Sequence, residues 1–283
     1  MIILITGANG MLAKAIRERF KDHKLILTDV DELDITDLEE VKKSVEDFKP
    51  EIIINCAAYT AVDKAEEEEE LARKINCIGP RNLAIAAQIN SCKIVHISTD
   101  YVFNGNLPLD EVHKEYGKYE PETVYGKTKL EGEVEVRQNC PEYYIFRTAW
   151  LYGDGNNFVR TMLKLGDEKE EVKVVFDQHG SPTYTVDLAD IIYQAVIEKR
   201  ISYGTYNATN LGFTTWYDFT KKIFEFANIS CKVLPVTSEE FPKPAKRPKN
   251  SMLSKECLLE AEIEIPSWED ALKRYLEKEL ESK

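Results

Sequence analysis

The sequence predicts an α/β fold, a doubly wound parallel sheet with a smaller lobe toward the C-terminus. Three observations carry that prediction. Short, wholly apolar runs alternate with amphipathic stretches through the first half of the chain, the pattern of strands buried on both faces with helices packed over them. The first run, Ile2–Thr6, stops at Gly7 and passes at once into a helical repeat, with Leu12, Ile16 and Phe20 inward and Lys14, Arg17 and Glu18 outward. Beyond Trp216 the regularity declines, and Pro235, Pro242, Pro244 and Pro248 break the chain into loops.

In order, Lys24–Thr28 is a second strand, and Asp37–Phe48 a helix with Leu38, Val41, Val45 and Phe48 on one side. Pro50 opens a third strand, 51–55, and Leu71–Ile89 is one long helix carrying Ile75, Ile78, Leu83, Ala86 and Ala87. Lys93–Ile97 is the fourth strand, ending at Ser98-Thr99-Asp100. A loop rich in Gly, Pro and charge fills 104–123, and a helix begins near Val124. Tyr144–Arg147 is a fifth strand and Val172–Phe176 a sixth, followed by an amphipathic helix, Asp187–Glu198, and a short strand, Tyr203–Ala208. This divides the chain into a Rossmann-type core over 1–150 and a lobe mainly over 151–283, with further core elements near 172–210.

A chain of 283 residues with 43% hydrophobic and 31% charged residues can bury a full core. A net charge of −13 argues against a nucleic-acid partner or an anionic membrane surface, both of which reward a basic face. The Glu66–Glu70 run reads as a solvated helix face rather than a metal site. The longest apolar runs are strand-length, so no membrane span is expected, and the N-terminal run lacks the basic flank of a signal peptide. The six cysteines are scattered without a C-x-x-C pair, as small buried residues in a reducing compartment would be. A cytoplasmic location, without a metal site, is the expectation.

The turn after the first strand carries the first chemical signal. Its free N–H groups and the helix dipole suit a phosphate, with Gly7 supplying the turn and Gly10 letting the backbone approach a pyrophosphate. Ala13 stands where a third glycine often sits, small enough for close packing. Asp29 closes the second strand twenty-two residues after Gly7, placed to accept hydrogen bonds from adenosine ribose hydroxyls and to repel a 2′-phosphate. NADH is therefore the expected cofactor, with NADPH open as a second.

Tyr125-Gly-Lys-Thr-Lys129 is the second signal. On a helix begun by Val124, Tyr125 and Lys129 are i and i+4 on one face. An ammonium beside a phenol lowers the phenol's pKa from about 10 toward the working pH, so that the pair can protonate a carbonyl oxygen. Alone, such a pair is as well explained by a surface helix. Following a strand that ends in Ser98-Thr99-Asp100 it gains a hydroxyl, Thr99, beside the same carbonyl.

These segments resemble extended short-chain dehydrogenases/reductases, and within them the dTDP-4-dehydrorhamnose reductases. Residues 55–66, Arg147–Gly153, 177–183 and 247–251 share that resemblance, which runs from residue 1 to about 255. It implies Thr99, Tyr125 and Lys129 as the catalytic set, Gly7, Gly10, Met11 and Leu12 at the pyrophosphate, Asp29 at the ribose, and Asp34 and Ile35 at the adenine. Ala57, Ala58 and Tyr59 would line the cofactor, and Tyr125 and Lys129 would also meet it. Thr99, Asp100 and Trp150 would touch the sugar of a dTDP-linked deoxysugar, and Arg247 its diphosphate. The implied activity is reduction of a nucleotide-linked 4-ketosugar. Another such sugar, an epimerase, and a non-catalytic subunit resembling the regulatory subunit of methionine adenosyltransferase are the alternatives.

Three departures from the family pattern stand out. The loop between Thr99 and Tyr125 is slightly longer than in the best-known members. Ala15 stands where some relatives carry a glutamate that binds magnesium between subunits. That removes one argument for a particular dimer and leaves a homodimer open. The last thirty residues match poorly, with Leu253-Ser-Lys-Glu where a Leu-Asp pattern is expected.

Overall fold

The structure, a computed structural model, describes residues 1–281; the last two residues of the expected lobe, 282–283, lie outside the described residues. β1 (Ile2–Thr6) runs into α1 (Met11–Arg19), followed by β2 (Lys24–Thr28), α2 (Leu38–Phe48) and β3 (Ile52–Asn55). The short α3 (Val62–Ala65) precedes α4 (Glu69–Arg73), which continues through a π turn at Lys74–Ile78 into α5 (Gly79–Ile89). The single long helix expected there is thus one helical run with a widened turn. β4 (Lys93–Thr99), α6 (Val124–Asn139) and β5 (Tyr143–Thr148) complete the first half.

The second half opens with β6 (Leu151–Tyr152), α7 (Phe158–Glu168), β7 (Glu171–Val175), β8 (His179–Gly180) and β9 (Thr183–Tyr184). α8 (Thr185–Ile192), extended by a π turn at Tyr193–Ile197, leads to β10 (Gly204–Asn207) and β11 (Thr214–Thr215). α9 (Trp216–Phe226), β12 (Lys232–Val236), α10 (Glu256–Glu260) and α11 (Trp268–Glu281) finish the described chain.

Six parallel strands form the central sheet in the order β2-β1-β3-β4-β5-β10. Strand side chains alternate between two apolar layers, as a period of two requires. Ile3, Ile5, Ile52 and Ile54 pack with Leu12, Ile16 and Phe20 of α1 and Leu188, Ile191 and Ile192 of α8. Leu4, Ile53, Ile94 and Ile145 pack on the other side with Val41 and Val45 of α2, Leu83 and Ala87 of α5 and Val136 of α6. The strand order changes direction between β1 and β3, so a crevice opens beyond their carboxyl ends, where open α/β sheets take ligands.

Two expectations are corrected. The strand at 171–175 exists but pairs with β12 in a separate two-stranded sheet, and the sixth strand of the central sheet is β10. The reason is in its composition: Glu171 and Lys173 are exposed and Val172 and Val174 buried, a strand covered on one face only. The decline of order beyond Trp216 is also overturned. α9 buries Phe219, Thr220, Ile223 and Phe224, and α11 buries Trp268, Ala271, Leu272, Tyr275 and Leu276, both at helical spacing. The prolines at 242, 244 and 248 lie in the irregular stretch between these helices, and Pro235 sits in β12. α9 and α11 share a third apolar cluster with α7 and β7, distinct from the two layers on the central sheet.

Among the described residues no helix is long and apolar enough to cross a membrane. The six cysteines are all free, and Ala15, within α1, packs against the core.

Candidate active site

The cradle at the end of β1 is set by sterics. Gly7 has φ +64°, and a Cβ there would stand 2.6 Å from the Ala57 nitrogen, so only glycine lets this turn cross the end of β3. Gly10 precedes α1 and no side chain caps the helix, which leaves its first-turn N–H groups without a side-chain partner. Asp29 braces the loop directly: its Oδ2 accepts the Asn9 N–H at 2.9 Å and its Oδ1 the Val30 N–H at 2.9 Å. Asp34 accepts both the N–H (2.9 Å) and the hydroxyl (2.7 Å) of Thr36, which hold its carboxyl below the usual carboxylate range. At the end of β3, Asn55 Oδ1 accepts the Ala57 N–H at 3.1 Å and the Thr6 hydroxyl at 2.8 Å, locking the two strand ends together.

Thr123 fixes the start of α6: its Oγ1 accepts the Gly126 N–H at 3.0 Å, an N-cap that puts Tyr125 in the first turn and Lys129 one turn on. The Tyr125 hydroxyl lies beside that of Thr99, which draws the phenol down, and Thr99 Oγ1 donates to Asp100 Oδ1 at 2.9 Å. Burial pushes the Asp100 carboxyl up to about 6, against the opposing pull of Thr99, Ser251 and backbone hydrogen bonds.

The expected lowering of the Tyr125 phenol by Lys129 is not what the structure contains. Burial pushes Tyr125 up to about 12, the Asp100 charge adds to that, and only the Thr99 hydrogen bond opposes it. Lys129 Nζ instead donates to the Ile97 carbonyl at 2.6 Å, and burial pulls its own pKa down to about 8 despite Glu133. The Lys129 ammonium, on α6, is thus anchored to the end of β4.

One turn further, Glu133 and Arg147 form a fully buried ion pair through two bonds, 2.8 and 2.6 Å long. Ser98 donates to the same carboxylate at 2.6 Å and Arg137 at 3.0 Å. This pair clamps α6, which carries Tyr125 and Lys129, onto β4 and β5. Burial opposes the Glu133 charge, but the four hydrogen bonds it accepts and two guanidinium groups prevail and hold it below the usual carboxylate range.

These elements enclose a cleft of about 1210 Å³, larger than the usual site for one drug-sized ligand. Gly7, Gly10, Met11, Leu12, Asp29, Asp34, Ile35, Ala57, Ala58, Thr99, Asp100, Tyr125, Lys129, Trp150 and Arg247 all line it. Tyr59 does not. Asn76 holds its backbone on both sides, at 2.8 and 3.1 Å, and its hydroxyl bonds Glu68, so the ring packs with Ala65, Ala72 and Val124 instead. Nothing between Tyr101 and Tyr125 lines the cleft, nor, among the described residues, does any after Pro248. Neither the long loop nor the described part of the poorly matching tail shapes its wall.

Opposite the cradle the wall is aromatic and cationic. Trp150 has φ +48°, a left-handed conformation that costs a bulky residue about 1–3 kcal/mol, and its ring is stacked on Trp216 at 3.7 Å. Arg247 Nη2 donates to Asp63 Oδ2 at 2.8 Å while Asp63 Oδ1 accepts the Ala245 N–H at 3.1 Å, drawing the proline-rich stretch onto the cleft. Lys173, Lys243 and Phe158 stand in the same wall. The sequence reading passed over Trp216, Phe158, Asp63 and Lys243. Asp63 alone had a local signal, its place in the Thr60-Ala-Val-Asp segment. Thr148 also lines the cleft, and its hydroxyl is buried without a hydrogen-bond partner.

Comparison with known proteins fits this arrangement. The family model described as RmlD substrate binding domain matches residues 1–281. The dTDP-4-dehydrorhamnose reductase of Aggregatibacter actinomycetemcomitans is 39% identical over 287 residues, covering 96% of this chain and 97% of that protein. A crystal structure of a dTDP-4-dehydrorhamnose reductase from Clostridium acetobutylicum is 50% identical, covers 99% of this chain and 100% of its own, and superposes with a TM-score of 0.95. That of the Bacillus anthracis dTDP-4-dehydrorhamnose reductase in complex with NADP is 44% identical, covers 98% and 99%, and has a TM-score of 0.93. With the match spanning the whole described chain, from the glycine cradle to the last helix, the protein belongs to the RmlD substrate binding domain family.

Proposed function

We propose that this protein reduces the 4-keto group of dTDP-4-dehydro-L-rhamnose to give dTDP-L-rhamnose, using NAD(P)H. The observation that carries the reading is the Thr99–Tyr125 hydroxyl pair, set in a cleft with a phosphate cradle on one side and an aromatic, cationic chamber on the other. Its relatives of 38–50% identity named as dTDP-4-dehydrorhamnose reductases support the same conclusion.

The residues present fit a nicotinamide dinucleotide. Gly7 and Gly10 leave a cradle without side chains, α1 offers uncapped N–H groups to a pyrophosphate, and Asp29 offers a carboxylate to a ribose. Met11, Leu12, Asp34, Ile35, Ala57 and Ala58 complete that side. A reduced nicotinamide bound there supplies a hydride to a carbonyl carbon. Tyr125, neutral at physiological pH, donates its proton to the carbonyl oxygen, and Thr99 orients that oxygen through its hydroxyl. Lys129 holds the floor of the site through the Ile97 carbonyl and offers its remaining N–H groups to the cofactor ribose. Asp100 and Trp150 face the sugar and Arg247 the diphosphate, so that the first 150 residues hold the cofactor and also reach the substrate, which the second half encloses from the other side.

Asp29 favours NADH, because a 2′-phosphate would meet its charge. The Bacillus anthracis relative was crystallised with NADP, which favours acceptance of NADPH as well. The absence of a long apolar helix among the described residues accords with a cytoplasmic location. The test is oxidation of NADH and of NADPH by the purified protein, with dTDP-4-dehydro-L-rhamnose generated in situ. Turnover is expected with both, faster with NADH. Cofactor binding without turnover would overturn the assignment of substrate.

A further inference from the structure

Trp150 is the one residue of the aromatic wall whose backbone departs from the ordinary regions, and three groups hold it there. Its indole lies on that of Trp216 with centroids 3.7 Å apart and planes 12° from parallel. On its edge, a Cβ at Gly180 would come within 2.7 Å of the Trp150 ring, so the ring occupies the space that a side chain at 180 would need. Phe158 packs on Trp216 at 4.4 Å.

The arrangement is not accidental to the fold. β8 and β11 form a two-stranded antiparallel ladder that registers Gly180 with Thr214 and His179 with Thr215. Thr215 then N-caps α9 through the Asp218 N–H at 3.0 Å, which places Trp216 at the first position of that helix. The ladder thus delivers the vacancy at Gly180 and the plane of Trp216 to the same indole. The Trp150 carbonyl accepts the Thr183 N–H at 3.2 Å, so its backbone is tied to the same stretch. Trp150, Trp216 and Phe158 all line the cleft.

We propose that Trp216 is a positioning residue for sugar binding: with Gly180 and Phe158 it fixes the Trp150 indole as a flat wall for the apolar face of the ketosugar. This deepens the ketoreductase reading and rests on it. A sugar presents C–H groups on one face and hydroxyls on its edges, and a rigid aromatic plane gains contact with the first without having to be ordered on binding. An indole freed from its stack would have to be ordered at each encounter, which weakens binding while leaving the proton donor in place.

The test compares Trp216→Leu, which removes the stack, with Trp216→Phe, which retains an aromatic face. Trp216→Leu is expected to raise KM for the sugar nucleotide about tenfold with kcat within about twofold, leaving NADH affinity unchanged. Trp216→Phe is expected to recover most of the loss. The stacked indoles also predict an exciton couplet in the circular dichroism of the wild type, lost in Trp216→Leu and equally in Trp150→Phe. An unchanged KM in a folded Trp216→Leu protein, or a wild type without the couplet, would overturn the proposal. Absence of turnover in the wild type would contradict the ketoreductase reading instead, and the couplet then decides the stack by itself. If Trp216→Leu fails to fold, Trp216→Phe decides: a tenfold rise in KM although an aromatic face is kept against Trp150 overturns it, and near-normal KM, with the wild-type couplet lost in Trp150→Phe, supports it.

Discussion

The two sides of the cleft are made differently. The cradle side takes its residues from the few positions that follow each strand: Gly7 to Leu12 after β1, Asp29 after β2, Ala57 and Ala58 after β3, Thr99 closing β4. The opposite side draws on Trp150, the α7 stretch around Phe158, Lys173, Trp216 and the segment from Phe241 to Pro248, which meet only in the folded chain. The first side is fixed by backbone geometry, a glycine that cannot be replaced and carbonyls and amides at strand ends. The second is fixed by side chains leaning on one another. A parallel sheet dictates where its strands end, so one half of the site follows from the fold, whereas the other depends on contacts that could be rearranged without changing the sheet.

The largest effect is expected where the rigid side is clamped. Arg147→Met removes two of the four hydrogen bonds and the buried counter-charge of the Glu133 carboxylate, and a loss of about 3–5 kcal/mol is expected in denaturant unfolding. Because the folded Glu133 pKa lies below its unfolded value of 4.5, the pair's contribution is full above that pH. It is lost as pH falls through the folded value, so the wild type and the variant should converge in stability toward acid. A constant gap down to strong acid would show that the clamp does not hold α6 through this charge.

Next in size is the acid itself. Tyr125→Phe is expected to cut turnover by roughly two orders of magnitude or more, with cofactor affinity near normal by titration. Near-normal turnover would remove Tyr125 from the mechanism. On the other side of the cleft, Arg247→Ala should act on binding, raising KM for the sugar nucleotide about tenfold with kcat and cofactor affinity held. A fall in kcat alone would move Arg247 from the binding wall to the chemistry, and the contrast between the two sides would weaken.

The smallest effect is one of pH. Lys129 is pulled down to about 8, whereas Tyr125 is pushed up to about 12. As pH rises through about 8, Lys129 surrenders its proton first, and turnover should fall while Tyr125 still carries its own. A pH–rate profile flat across that range would show that the ammonium charge is not needed.

The same contrast explains what could be read in the chain. The first five strands, the turn at Gly7, Asp29 and the Thr99, Tyr125 and Lys129 set were legible because each is local: an apolar run, a turn residue, a helical spacing. Tyr59 misled for the same reason. It follows β3 as a cleft residue should, but the Asn76 side chain, seventeen positions away, turns it elsewhere. Trp216 carried no local sign of its place, since the β8–β11 ladder that presents it pairs segments more than thirty residues apart. The Lys129–Tyr125 spacing was read correctly and its electrostatics were not. Helical periodicity places both side chains on one face, but burial and the Ile97 carbonyl decide where the ammonium goes.

The most direct test of the account is label transfer. The purified protein would be given dTDP-4-dehydro-L-rhamnose and NADH deuterated at the nicotinamide C4 position, and the sugar nucleotide analysed by mass spectrometry and NMR. The account predicts deuterium at C4 of the product sugar in the wild type and almost none formed by Tyr125→Phe. Cofactor oxidised without label in the sugar, or an equally labelled product from Tyr125→Phe, would contradict it.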